Sequence, residues 1–240
     1  MNVIFFTTLR QLLRQSNLWL INIFAIVTSE FSPAFAELFT FGNAENAVIE
    51  SIKASLYLAI IITSILCIYR LLSSELNDKI AINLFAKPIS FMDFLLGKYL
   101  AMLIVILIVS LFQAIWLVKH AYFLDWSSLG VKLAFTSLFG VFLQGACLIA
   151  FSMMLALVFN KGISIILLIL SLFISYLVPS DILIVLSAFF PALSFFDFSE
   201  LIYKKVDFSI NFIGLLTLYS IVYIYFCLKL SEFFFKKKEF

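Results

Sequence analysis

Few side chains in this sequence are suited to chemistry, and most of them lie outside the apolar runs. The densest polar stretch is residues 73–93, where carboxylates, lysines and a proline follow one another closely. Glu30, Gln113 and Gln144 are the other candidates, and each stands alone in apolar surroundings. An enzyme needs paired carboxylates, a nucleophile beside a base, or a cluster of metal ligands. No apolar run contains such a grouping, so we expect no catalytic residues.

The sequence also predicts no metal or nucleotide site. His120 is the only histidine and lies beside Lys119 in a predicted loop, and the three cysteines lack metal-ligand spacing. No phosphate-binding loop of the form Gly-x-x-x-x-Gly-Lys-Ser/Thr occurs. We therefore expect no metal and no cofactor in this chain, and any ATP hydrolysis must come from another one.

Composition decides which solvent surrounds the chain. Of its 240 residues, 64% are hydrophobic and only 12% are charged, whereas soluble domains are about half apolar and about one quarter charged. A single soluble core cannot hide this much apolar surface, so lipid must surround most of it. The apolar runs are continuous, which predicts helices. We therefore predict one all-α transmembrane domain over residues 1–240, with membrane lipid as a partner and no nucleic acid.

The apolar runs predict six spans. They cover about residues 18–35, 54–72, 94–118, 129–159, 163–178 and 210–230. Residues 3–15 precede them as an amphipathic helix lying along the membrane surface, with Arg10 and Arg14 on its polar side. Its apolar side consists of Phe5, Phe6, Leu9, Leu12 and Leu13.

Two features lie near the end of the first span, and the first of them has an alternative interpretation. Ala34-Phe35-Ala36 imitates a signal-peptidase site, but Asn22 and Glu30 interrupt the stretch before it, so we expect an uncleaved span. Glu37, Glu45 and Glu50 then predict a short acidic loop before the second span.

Residues 179–209 decide the number of spans. Pro179 and Pro191 interrupt this apolar run, which is either a further span or a re-entrant or interfacial segment. The positive-inside rule places Lys236-Lys237-Lys238 in the cytoplasm. Six spans put Lys236-Lys237-Lys238, the N-terminus, the 73–93 loop and Lys161 on the cytoplasmic side, whereas seven spans would put the three C-terminal lysines outside. We therefore predict six spans, two cytoplasmic termini and a broken hairpin at 179–209 on the outer face.

The 73–93 loop has the pattern of a short amphipathic helix. Leu76, Ile80 and Leu84 recur at i, i+4 and i+8, and Glu75 pairs with Lys79 at i, i+4 in the favoured polarity.

A proline and a cap separate this helix from the next one. Pro88 ends it, because proline lacks a backbone donor and disfavours helical geometry at Lys87. Ser90 then caps the following helix, with Asp93 three residues later in the manner of a capping box.

Two runs in this region, Leu84-Phe85-Ala86-Lys87-Pro88-Ile89-Ser90 and Phe94-Leu95-Leu96-Gly97-Lys98-Tyr99-Leu100-Ala101, resemble the loop of ABC-2 type permeases. In that family an amphipathic helix after the second span ends in a Lys-Pro-Val/Ile-Ser segment, and Leu-Leu-Gly-Lys enters the third. The sequence departs from the family at Asn83-Leu84, where Gly-Thr is common, and at Phe91, where arginine often follows the serine. These departures leave the substrate open.

The resemblance implies the membrane subunit of an ATP-binding cassette exporter in the cell membrane, most simply a bacterial inner membrane. ATP and Mg would bind to a separate ATPase subunit, and a second permease copy or a similar chain would complete the pair. The loop would be the coupling helix that docks on the ATPase. The implied docking residues are Glu75, Leu76, Asp78, Lys79, Ile80, Leu84, Lys87 and Pro88.

Other functions remain open at this stage. A non-transporting membrane scaffold could use the same loop for docking. A secondary transporter is disfavoured because spans two to six show almost no intramembrane charge. Gln113 and Gln144 either line a substrate path or form hydrogen bonds between helices, and the second interpretation is favoured. Glu30 either faces a substrate cavity or reaches the outer membrane interface, which we favour.

The six-span topology predicts a cytoplasmic C-terminus. Green fluorescent protein fused after Phe240 should fluoresce, and alkaline phosphatase at the same position should be inactive, because each reporter works on one side only. The opposite result at this position would overturn the six-span arrangement. Reporters fused after Gly42 supply the control, since that position is predicted to lie outside.

Overall fold

A computed structural model of the chain describes residues 2–14, 19–20, 23–24, 26–28, 30–31, 44–66, 68, 90–123, 125–177, 190–198 and 210–237. All regular structure in these ranges is helical, which confirms the all-α class. The helices are α1 (Asn2–Leu13), α2 (Ala44–Leu66), α3 (Phe91–Phe123), α4 (Ser128–Val158), α5 (Lys161–Leu177) and α6 (Ile210–Lys237). A short 3-10 helix, Leu193–Phe196, lies between α5 and α6.

In the described part of the chain, four helices are long and apolar enough to cross a membrane, namely α2, α3, α4 and α6. They correspond to the predicted second, third, fourth and last spans. The apolar helix α5 has 17 residues and is shorter. The described residues between 19 and 31 are also helical, within the predicted first span.

The central helix of the bundle is α4. It packs against α2, α3, α5, α6 and the 3-10 helix, and 83% of its apolar stretch is buried, against 39% in α3 and 28% in α6. Small residues allow this close approach. A Cβ atom on Gly145 would lie 2.8 Å from the Ile60 side chain of α2. The Tyr99 hydroxyl of α3 also donates a hydrogen bond to the Ala146 carbonyl at 3.3 Å.

The predicted N-terminal helix is present, but its buried side differs from the prediction. Ile4, Thr8 and Leu12 are buried at i, i+4 and i+8, whereas Phe6, predicted on the apolar side, is 65% exposed. The difference arises because α1 packs against α3, so that contact with another helix selects the buried side. Arg10 is exposed, as predicted.

The predicted acidic loop before the second span is partly wrong, because α2 already begins at Ala44 and includes Glu50. Glu50 is followed one turn later by Lys53, and the Lys53 Nζ atom lies 3.1 Å from a Glu50 oxygen. This i, i+3 ion pair offsets the cost of charge in an apolar helix.

The predicted loop at His120 is also wrong. His120 lies within α3, which continues to Phe123, and it is buried. The Lys119 ammonium pairs with Glu30 and lies over the Trp116 ring, 4.5 Å from its centroid. These contacts allow charged residues to continue the helix. The chain turns only at Asp125, which has φ of 47°.

The predicted cap of α3 is confirmed. The Asp93 backbone N–H donates to Ser90 Oγ at 3.1 Å, and Ser90 Oγ donates to Asp93 Oδ2 at 2.7 Å. Ser90 thus satisfies one of the unpaired N–H groups at the start of the helix. Residues 73–89 of the loop lie outside the described residues.

Gly140 of α4 lies against the chain that follows α5. A Cβ atom there would lie 2.6 Å from Phe198 Cε2 and 2.8 Å from the Phe196 carbonyl oxygen. Backbone cannot move aside as a flexible side chain can, so Gly140→Ala should destabilise the fold by about 1–3 kcal/mol. The measurement is the midpoint of thermal unfolding in detergent.

Gly214→Ala is the matched control, because a Cβ atom at this position in α6 would meet nothing within 4 Å. It should leave the midpoint unchanged or raise it, since alanine favours helix by about 0.5–1 kcal/mol. Equal midpoints for the two variants would contradict the close contact at Gly140.

Candidate functional site

Residues 190–198 form a mostly non-helical segment that lies inside the bundle. Ala192, Leu193, Phe196 and Phe198 are all at most 3% exposed. A backbone without helical hydrogen bonds is tolerated in apolar surroundings only where other groups satisfy it. The side chains of the surrounding helices meet that need.

Four helices hold this segment through polar side chains. Gln144 of α4 donates to the Leu193 carbonyl at 2.6 Å, and Ser175 of α5 donates to the Pro191 carbonyl at 2.6 Å. The Ala192 N–H donates to the Tyr219 hydroxyl of α6 at 3.1 Å. Lys53 of α2 donates to Asp197 at 3.0 Å. The segment is therefore tied to α2, α4, α5 and α6 at once.

Lys53 is the centre of an ion cluster. Its ammonium lies 3.1 Å from Glu50 and 3.0 Å from Asp197, and its side chain is only 10% exposed. Lys53 is also five residues inside the candidate span Val48–Leu66, which corresponds to about 8 Å of helix rise. The predicted second span, about residues 54–72, began just after Lys53, so the scarcity of charge expected inside the spans did not take this lysine into account.

A partly open cavity of about 150 Å³ lies beside the ion cluster. It is bounded by α2, α4, α5 and the 190–198 segment. Its wall combines charged, aromatic and apolar groups: Glu50, Lys53, Ala54, Tyr57, Val141, Gln144, Tyr176, Phe196 and Asp197. Convergence of several polar groups on a concave aromatic surface is typical of sites for small molecules.

Two tyrosines face each other at this cavity. The rings of Tyr57 and Tyr176 are in an edge-to-face arrangement, with centroids 6.3 Å apart. Both tyrosines line the cavity, so their rings are part of the surface that a ligand would meet.

Gln144 was predicted either to line a substrate path or to form hydrogen bonds between helices. Its amide nitrogen holds the Leu193 carbonyl, and its side chain also lines the cavity. Gln113 differs: it is 1% exposed, it does not line the cavity, and neither of its amide atoms has a hydrogen-bond partner among the residues that the structure describes. The two glutamines, for which the sequence predicted the same roles, therefore have different surroundings in the structure.

Glu30 lies apart from the cavity. Its side chain is 37% exposed, pairs with Lys119 near the end of α3, and is 3.9 Å from the His120 ring nitrogen. Its position at the outer membrane interface stays a prediction. The predicted docking residues lie outside the described residues: Glu75, Leu76, Asp78, Lys79, Ile80, Leu84, Lys87 and Pro88.

Apart from Gln144, sequence reasoning did not identify the residues that line this cavity. Two signals were available: the i, i+3 spacing of Glu50 and Lys53, and a lone Asp197 inside the aromatic run Phe195-Phe196-Asp197-Phe198. A carboxylate in an apolar run usually has a partner or a function. What the sequence did not reveal is that Lys53 and Asp197, which are 144 positions apart, form an ion pair.

The described residues contain no group of three or more metal-ligating side chains. Comparison with known proteins adds no relative: no protein-family model matches the chain, and no curated protein matches it. The site must therefore be interpreted from its own geometry.

The ion pair between Lys53 and Asp197 should contribute to stability. We predict a coupling free energy on the order of 1–3 kcal/mol between Lys53→Met and Asp197→Asn in a double-mutant cycle. The reason is that Lys53 is enclosed, so little water screens its charge. Unfolding of the purified protein in mixed micelles by increasing sodium dodecyl sulfate is the measurement.

A second cycle on Lys119→Met and Glu30→Gln supplies the control. That pair is exposed on both sides, at 40% and 37%, so its coupling should be about 0.5 kcal/mol. If the exposed pair coupled as strongly as the enclosed one, the special role of burial at Lys53 would be refuted.

Proposed function

We propose that this chain is the permease subunit of an ABC-2 type exporter. In this role it works with a separate ATPase chain and with a second permease copy or a similar chain. ATP hydrolysis by the partner would drive export of a hydrophobic or amphipathic substrate, or mechanical work on it. The observation that carries the proposal is the run from Glu75 to Ala101, in which an amphipathic stripe, a Lys-Pro break and a Leu-Leu-Gly-Lys entry follow in order.

The start of α3 supports this assignment. Ser90 and Asp93 form the capping box at the point where the loop enters the helix, and Phe94 and Lys98 are buried immediately beyond it. A helix anchored in this way can carry a rigid-body displacement from its first turn to its other end. The 33 residues of α3 extend for about 50 Å, so a displacement at the loop would reach the opposite end of the bundle.

We also propose the finer topology of six spans, with both termini in the cytoplasm and a broken hairpin on the outer face. Four candidate spans, the shorter α5 and the helical residues between 19 and 31 support this number. The Phe91 and Phe235 rings stack at 3.6 Å, so the start of α3 adjoins the end of α6. The pairing of Lys53 with Asp197 supports a common side for the start of α2 and the hairpin.

A hydrophobic or amphipathic substrate agrees with the surfaces of the bundle. Most serine and threonine hydroxyls of the described helices donate to carbonyl groups of their own helix, as Thr63, Ser110 and Ser220 do. Such hydroxyls offer little to a polar solute crossing the membrane. The Lys53 cavity is a place where polar groups of the described residues converge on an open concave surface.

The proposal predicts that the loop captures an ATPase. Affinity-tagged protein, extracted in mild detergent from its source cells, should co-purify with a chain that contains a phosphate-binding loop. Leu76→Asp/Ile80→Asp should abolish this capture, because two carboxylates would replace the apolar stripe that seats the helix. Mass spectrometry and ATPase activity of the eluate are the measurements.

Asn77→Asp/Ala81→Asp is the charge-matched control, since it adds the same charge at the same spacing beside the stripe. It should retain the ATPase. Loss of the ATPase from both double variants would refute the stripe as the docking surface. Absence of any ATPase with the unmodified protein would favour a non-transporting membrane anchor or scaffold.

A further inference from the structure

The Lys53 cavity has an excess of negative charge among its described wall residues. Glu50 and Asp197 contribute two carboxylates, and Lys53 contributes one ammonium. The lysine is the enclosed member, with its side chain 10% exposed, whereas the carboxylates are 33% and 35% exposed. A ligand entering the cavity therefore meets carboxylate oxygens more readily than the ammonium. This arrangement favours a cation and disfavours an anion.

Aromatic rings provide the second component of a cation site. Tyr57, Tyr176 and Phe196 all line the cavity, and the two tyrosine rings stand nearly perpendicular, at 87°. The negative faces of aromatic rings attract organic cations, and rings beside carboxylates are the usual receptors for alkylammonium groups.

The size of the cavity fits a small head group. Its volume is about 150 Å³, and an engineered apolar cavity of about this size takes up benzene. A trimethylammonium or primary ammonium group fits this space, whereas a whole amphiphile does not. Because the cavity is partly open, an attached chain can extend beyond it.

We propose that this cavity binds the alkylammonium head group of an amphiphile, with Glu50 and Asp197 supplying the charge and Tyr57, Tyr176 and Phe196 the aromatic wall. Lys53 positions both carboxylates. The role of the site as a substrate subsite rests on the proposed transport function. Binding itself does not, because it requires only this chain.

The first experiment compares choline with 3,3-dimethylbutan-1-ol, its uncharged carbon isostere. The full chain is placed in phosphatidylglycerol nanodiscs, and equilibrium dialysis of each radiolabelled probe gives its dissociation constant. Choline should bind at least roughly tenfold more tightly, because the two probes differ only in charge. Equal affinity, or no binding of choline above that of empty nanodiscs, would overturn the proposal. This comparison needs no variant, so misfolding cannot obscure it.

Variants then locate the site. Glu50→Gln and Asp197→Asn should each weaken choline binding roughly tenfold, since each removes one carboxylate from the wall. Glu30→Gln, which neutralises a carboxylate outside the cavity, should leave the affinity unchanged. Weakening by Glu30→Gln equal to that by Asp197→Asn would refute the location.

A lipid head group and a transported amphiphile share this chemistry, and the nanodisc composition distinguishes them. If phosphatidylethanolamine in the nanodisc raises the apparent dissociation constant of choline, a membrane lipid is the source of the head group. If it leaves the constant unchanged, the site is reserved for another amphiphile. Choline binding without capture of an ATPase would preserve the site and reject the exporter. Capture without choline binding would do the reverse.

Discussion

Backbone that is not helical needs partners wherever water is excluded, and the 190–198 segment satisfies this need through its neighbours. Gln144, Ser175 and Tyr219 reach it from three different helices. Each bond uses a side chain that would be costly to bury alone. The polar groups of the segment and of the helices therefore satisfy one another's hydrogen bonds, and removal of either set would leave the other without partners. Much of the polar chemistry of the bundle follows from this one requirement.

The cavity is a consequence of the same arrangement. Gly140 lets the segment approach α4 closely, and Lys53 draws Asp197 toward α2. The segment thus fills only part of the space between α2, α4 and α5, and the remaining space is lined by carboxylates and tyrosines. Gln113 has no such partner: it is buried with both amide atoms unpaired. A buried amide in that condition carries a free-energy cost, for which the described residues give no compensating contact.

The two regions for which a function is proposed, the loop before α3 and the Lys53 cavity, differ in their physical character. The sequence of the loop before α3 combines an apolar stripe with charged residues, a pattern that suits contact with a protein partner. The cavity combines enclosed charge with aromatic rings, which suits a small organic cation. The capped α3 follows the loop in the chain, and the closely packed α4 forms part of the cavity wall. Packed helices with few alternative arrangements transmit a displacement as rigid bodies.

The all-α class, the four long apolar helices and the cap at Ser90 were predictable from the sequence, because each depends on residues close together in the chain. The composition predicts that lipid surrounds the chain, and the continuous apolar runs predict helices. A serine three residues before an aspartate predicts a helix cap. Charge led the same reasoning to end α3 before His120 and to begin α2 after Glu50, since the partners that stabilise these charges were not visible. Only the tertiary structure decided that Lys53 pairs with Asp197 and that α1 buries Ile4 rather than Phe6. It also decided that Gln144 donates a hydrogen bond to Leu193, whereas the amide of Gln113 has no partner among the described residues. These outcomes depend on contacts between distant residues, and no local pattern encodes which distant residue will lie opposite.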